Sequence, residues 1–142
     1  MRETSKAKVS QNCKQFHPIS QMRKIETKMN QTIRRGGNFS NGNTSVQTVS
    51  YLDEQGVYQS ESKVFLHGNH IATYFHTTKE LTLFDGGWQS NTTKSRLNAL
   101  CYEFATGFSV FHKNFNWFVS DFQSKVVRDF SNGITVNYNG CF

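Results

Sequence analysis

Sixteen residues near the middle of the chain, Leu83-Phe84-Asp85-Gly86-Gly87-Trp88-Gln89-Ser90-Asn91-Thr92-Thr93-Lys94-Ser95-Arg96-Leu97-Asn98, force a change of structural period. Leu81–Phe84 reads as a short strand. Gly86-Gly87 turns the chain, a Trp follows, and a polar cap opens a helix from about Thr93 to Phe104. In that helix Leu97, Leu100, Cys101 and Phe104 stand at i, i+3, i+4 and i+7, which makes one buried face. Thr92 or Thr93 is the expected N-cap. Lys94 and Arg96 then fall at the electrostatically unfavourable end, because a helix N-terminus already carries partial positive charge. An anion would offset them, as would a pairing with Asp85 or Glu103.

The neighbouring segments read as hairpins. Thr44–Tyr51 carries β-branched Val46, Thr48 and Val49 and reads as a strand, with Asn38–Asn43 a loop before it and Asp53-Glu54-Gln55-Gly56 a turn after it. Lys63–His67 and His70–Phe75 flank Gly68-Asn69, a two-residue hairpin signal. Phe108–Lys113 and Phe115–Ser120 flank Asn114, and Val126–Phe130 and Ile134–Tyr138 flank Ser131-Asn132-Gly133. Ahead of all of these, Met22, Ile25, Met29 and Ile33 form a narrow helical stripe running from a Ser20 cap to about Arg35, closed by Gly36-Gly37. The expected fold is α+β: an antiparallel, hairpin-built sheet with two helices packed on one face.

A length of 142 residues fits one domain, expected over residues 19–142. Hydrophobic content is only 36%, yet 13 Phe, 5 Tyr and 2 Trp supply enough area for a core. The net charge of +6 is unevenly placed. Residues 1–36 hold nine Lys and Arg against Glu3 and Glu26, whereas residues 37–142 hold seven against eight acids. Residues 1–18 are polar and basic and are expected to be a disordered extension. Such an arm suits nucleic acid or another polyanion.

Three cysteines (Cys13, Cys101, Cys141) without CxxC spacing argue for a reducing compartment and against a disulfide framework or a zinc site. The N-terminus lacks the apolar region of a signal peptide, and no apolar run approaches the ~18 residues of a transmembrane helix. His67 and His70 flank a hairpin turn and, with His76 or His112, are candidates for a metal; no carboxylate or Cys has supporting spacing, so neither a metal nor a cofactor is expected. No Ser-His-Asp, HExxH, phosphate-loop or dinucleotide-binding pattern is present, and no enzymatic activity is expected.

The chain resembles a family of small bacteriophage-encoded proteins of uncharacterised function. The resemblance rests on Ile25-Glu26-Thr27-Lys28-Met29, on Asn38-Phe39-Ser40-Asn41-Gly42-Asn43-Thr44 and on Val64-Phe65-Leu66-His67-Gly68-Asn69-His70-Ile71-Ala72. Its most specific part is Gly86-Gly87-Trp88 with Thr92-Thr93-Lys94 and Arg96-Leu97-Asn98, and it closes with Phe111–Val119. It covers roughly Met22 to Val119 and implies a phage origin, expression in the host bacterial cytoplasm, and no particular activity. Members of that family begin close to the first helix, so residues 1–18 look like an addition and Met22 like an alternative start.

The candidate site residues follow from chemistry. Free amides at a helix start bind phosphate, so Thr92, Thr93, Lys94, Ser95 and Arg96, with Arg34 and Arg35 of the first helix, are the expected phosphate or nucleic-acid ligands. Trp88, Phe115 and Trp117 are the expected stacking platform for bases. The function expected is a non-enzymatic accessory protein that binds nucleic acid. The alternative is a counter-defence or host-takeover protein that binds a host protein or sequesters a phosphorylated small-molecule signal.

Overall fold

The apolar stripe and its glycine stop build the first helix. In the computed structural model, which describes residues 22–137, α1 spans Lys24–Arg35. Met29 and Ile33 are buried and Met22 packs on the core. Gly36 adopts the left-handed conformation (φ 72°) that lets its amide and that of Gly37 reach the carbonyls of Ile33 and Thr32. The Ser20 cap, the basic arm over 1–18 and the last five residues lie outside the described residues.

Five strands, a second helix and four more strands follow. β1 (Phe39–Asn41), β2 (Thr44–Leu52), β3 (Tyr58–Leu66), β4 (Asn69–Phe75) and β5 (Glu80–Leu83) precede α2 (Asn91–Phe104). β6 (Phe108–Lys113), β7 (Asn116–Asp121), β8 (Val126–Asp129) and β9 (Ile134–Asn137) follow it. All pairings are antiparallel, so the fold is α+β as the sequence implies. The Asn38–Asn43 segment, expected as a loop, contributes the short strand β1, which turns at Gly42-Asn43 onto the start of β2.

The strands form two sheets rather than one. A six-stranded sheet has the order β1-β2-β3-β4-β5-β9, and a three-stranded sheet has the order β6-β7-β8. The expected hairpin around Ser131-Asn132-Gly133 does not form. Gly133 donates its amide to the Leu83 carbonyl at 2.8 Å, and Asn132 Oδ1 accepts from the Asp85 amide at 2.8 Å. These bonds draw the chain across to β5, so β8 closes the small sheet and β9 the large one.

Both helices cover one face of the large sheet, and α2 also packs against β6. Leu97, Leu100, Cys101 and Phe104 of α2 are buried as their spacing implies, against Ile71, Leu81, Leu83 and Val136 on one side and Phe108, Val110 and Val119 on the other. Asn98 fastens α2 to the small sheet: its Nδ2 donates to the Val110 carbonyl at 2.9 Å and its Oδ1 accepts from the Val110 amide at 2.7 Å. A side-chain amide thus occupies the place of a further strand on β6.

Candidate functional site

The turn before α2 is fixed by backbone chemistry. Gly86 and Gly87 have φ of 71° and 84°, and the Gly87 amide donates to Asp85 Oδ1 at 2.7 Å. A Cβ on Gly86 would stand 3.0 Å from Ile71 Cγ2, so only glycine lets the turn lie this close to β4. Ser90, not a threonine, is the N-cap: its Oγ accepts from the Thr93 amide at 3.1 Å. The helix therefore opens at Asn91, two residues earlier than the spacing of apolar residues implied. Thr93 is buried, with its hydroxyl bonded to the Trp88 carbonyl, while Thr92 and Lys94 remain partly open.

That shift moves Arg96 into the second helical turn and points it inward. Its Nη1 donates to Glu26 Oε2 at 2.7 Å, Nε to Thr44 Oγ1 at 3.0 Å and Nη2 to Asn43 Oδ1 at 3.2 Å. Both partners of the ion pair are closed to solvent. Ser95 Oγ donates to the same Glu26 oxygen at 2.6 Å, and the Arg23 amide to the other at 3.1 Å. The anion that offsets Arg96 is thus Glu26, neither an external ligand nor the Asp85 or Glu103 considered from sequence. Further along, Asn30 Nδ2 donates to the Ala99 carbonyl and Arg34 pairs with Glu103. The three cross-links advance together along both chains, so α1 and α2 run parallel and start at the same end of the molecule. Arg34 also lies over the Phe104 ring at 5.4 Å, while Arg35, at the far end of α1, is exposed.

The expected ligands are thereby divided. Arg96 and Arg34 sit in intramolecular ion pairs, and Ser95 is bonded to Glu26. Lys94 reaches across to the small sheet, where its Nζ donates to Nδ1 of His112 at 2.7 Å. A lysine ammonium can only donate, so Nδ1 of His112 is the acceptor in that bond.

The aromatic residues divide as well. Trp117 is only 8% exposed and packs edge-on against Phe130 with ring centroids 5.3 Å apart, so it is a core residue. Trp88 is 75% exposed and Phe115 is 99% exposed. The strand alternation that put Phe115 on a face with Trp117 does not reach it, because Asn114-Phe115 is itself the turn, with φ of 53° and 69°. A bulky residue in the left-handed region is uncommon and strained, and this one is left almost wholly exposed.

Two hollows flank the start of α2. One, of about 250 Å³, is lined by Leu66, His67, Ile71, Asp85, Trp88 and Thr93 among others. The second, of about 230 Å³, is lined by Gln89, Asn91, His112, Phe115 and Trp117. The first carries a carboxylate and no cation. The second carries no carboxylate, has two amide side chains, and has at its wall His112, to which Lys94 is bonded. Phe115 at the rim was expected among the stacking residues, but at the start of β7 rather than in the turn where the structure places it.

Two further histidines are engaged elsewhere. His70 lies between Phe65 and Phe84 and bonds Thr73 Oγ1 at 2.7 Å, and His76 bonds Ser62 Oγ at 2.8 Å. Burial lowers both pKa values below the ordinary histidine range. Among the described residues no group of three His, Cys, Asp or Glu side chains is placed to hold a metal ion, and no helix is long and apolar enough to cross a membrane.

Residues 22–137 match the model of a family described as Kyanoviridae Gp96 protein. No curated protein and no solved structure matches the chain.

Proposed function

The chain belongs to the Kyanoviridae Gp96 family of phage proteins, and from that premise we propose that it is a non-enzymatic accessory protein that binds single-stranded nucleic acid in the host bacterial cytoplasm. The observation that carries this reading is Phe115, held fully exposed and left-handed at the rim of a hollow that contains amide donors and no acid. Exposed aromatics beside cations are what single strands need, because bases stack on the ring while phosphates meet positive charge. In this arrangement Phe115 and Trp88 stack bases, Gln89 and Asn91 bond base edges, and Lys94 beside His112 takes a phosphate. Thr92 and the first free amides of α2 add to that phosphate site. Arg35 and the basic arm supply sequence-independent attraction.

A second reading, sequestration of a phosphorylated small molecule, draws on the other hollow, whose apolar wall of Leu66 and Ile71 under Trp88 has room for one nucleobase. Anisotropy titrations with labelled single-stranded and double-stranded oligonucleotides across a salt series separate the two. The proposal expects single strands to bind tighter than duplexes of equal length, with affinity falling steeply as salt rises. Equal binding of both forms, or full displacement by a mononucleotide at equimolar concentration, overturns it.

A further inference from the structure

β2 is covered on its outer side only at its start. β1 pairs with Thr44, Ser45 and Val46, and Asn38 Oδ1 accepts the Thr48 amide at 2.7 Å. Even-numbered residues of β2 therefore aim their backbone groups away from β3, and from Ser50 to Leu52 no strand among the described residues meets them. This stretch projects past the rest of the sheet, since β4 pairs with β3 only from Glu61 inward. Val49, Tyr51, Leu52, Val57 and Tyr58 are all exposed on it.

Protein edges are ordinarily blunted by charge, proline, a bulge or brevity. The edge strands of the small sheet follow that rule, with Lys113 on β6 and Arg128 and Asp129 on β8. β2 has none of these: it is nine residues long, uncharged, unbulged against β3 and rich in Thr, Val and Tyr. Its loop is nevertheless well made, with Asp53 accepting from the amides of Gln55 and Val57 and from Gln59 Nε2, each at 2.9 Å.

We infer that a second copy of this chain pairs antiparallel with the free edge of β2, in the register that sets Tyr51 opposite Tyr51 of the partner. Three observations select this occupant. The register uses only unpaired groups: Ser50 and Leu52 exchange backbone hydrogen bonds with Leu52 and Ser50 of the other copy, and Thr48 keeps its Asn38 cap. An uncharged strand tolerates being opposed to itself, where a charged one would place like beside like. Finally, the register sets Asp53 of one copy opposite Val49 of the other and Glu54 beside Thr48. Thr48 Oγ1 is bonded to the Gly37 carbonyl at 2.7 Å, and the exposed Arg35 side chain lies against Gly37. The acidic loop of each copy thus meets a cation on its partner. The two large sheets become one continuous sheet across a two-fold axis.

The test is disulfide trapping in the full chain with Cys13 and Cys141 replaced by serine. Facing positions of a non-hydrogen-bonded antiparallel pair lie within disulfide reach, so Tyr51→Cys should give a covalent dimer under mild oxidation. Val49→Cys should not, because its own counterpart lies four residues along the strand. In sedimentation velocity the parent should run as a dimer, and Ser50→Pro, which removes the outward amide and an exposed 3.4 Å hydroxyl contact to Ser60, should run as a folded monomer. Tyr51→Lys gives the same reading should the proline variant fail to fold. A parent that stays monomeric to about 100 μM, or equal cross-linking of the two cysteine variants, overturns the inference.

Discussion

Arg96 Nη1 meets Glu26 Oε2 at 2.7 Å, joining residues seventy positions apart in a pair that water does not reach. The arrangement is favourable on three counts. The carboxylate sits in the first turn of α1, where the helix dipole favours negative charge. It accepts the Arg23 amide and the Ser95 hydroxyl besides the guanidinium, and Thr44 and Asn43 satisfy two further Arg96 donors. Removing one partner leaves a buried charge uncompensated, which costs about 3–5 kcal/mol. Glu26→Ala and Arg96→Ala should each destabilise on that scale in urea unfolding, and the double variant by clearly less than the sum. Arg96→Glu, harmless if the residue faced solvent at a helix start, should be the worst of the series. Additive effects below about 1 kcal/mol would show the two residues to be independent.

Acid should weaken the fold before its carboxylates titrate. Burial holds the His70 and His76 pKa values below the ordinary value of about 6.5 that the unfolded chain retains. The unfolded chain therefore takes up protons first. The associated stability is complete above about 6.5 and is lost as pH falls through that value towards the folded pKa. Melting temperature should drop between pH 7.5 and 5.5, and His76→Gln should flatten the drop. Asp53, whose carboxyl is held low chiefly by the Val57 amide, loses its contribution only at more acid pH. A melting temperature that rises on acidification would contradict both assignments.

Cys101 should be inert. It is fully buried in α2 with its thiol pushed up to about 12 by burial, so almost no thiolate exists at neutral pH. Iodoacetamide followed by peptide mass spectrometry should label Cys101 in urea and leave it unlabelled in the native protein. Native labelling at a rate comparable with a free thiol would mean that α2 opens far more often than its packing allows.

What the sequence made legible was periodic. The stripes of α1 and α2 and the alternation of β6, β7 and the start of β2 all have one side against the core, and burial writes that side into every second or every third to fourth residue. Pairing partners are not written that way. Val126–Phe130 and Ile134–Tyr138 look like hairpin arms because a turn tripeptide separates them, yet bonds from Asn132 and Gly133 to the β5 end send them to different sheets. Likewise the charges on Lys94 and Arg96 were visible at the helix start, but the anion answering Arg96 lies on another helix. Which residues of distant segments meet is settled by packing, and no local pattern records it. Phe115 was legible as a stacking candidate, but its place in the turn was not, because its exposure comes from a backbone conformation that sequence disfavours for phenylalanine.

Trp88 should report occupancy of the start of α2. Trp117 is enclosed while Trp88 is open, so iodide should quench the Trp88 share of the emission and little else. Saturating single-stranded oligonucleotide should protect Trp88 from iodide, and a duplex of the same length should do so less. Unchanged quenching with oligonucleotide bound would place the ligand elsewhere on the protein.

The central claim is that Phe115 is kept in a strained turn for the sake of a ligand, and Phe115→Gly tests it. The substitution converts Asn114-Phe115 into Asn-Gly, the pair that a two-residue turn with both φ positive favours. Relieving the left-handed conformation should leave the melting temperature equal or higher, with a gain of up to about 1 kcal/mol. Loss of one stacking ring should weaken binding to a single-stranded oligonucleotide by about tenfold, the lower part of the ~1–3 kcal/mol range for a base–aromatic stack. A more stable protein that binds less well is the predicted result; a glycine variant that binds single strands as tightly as the parent would contradict it.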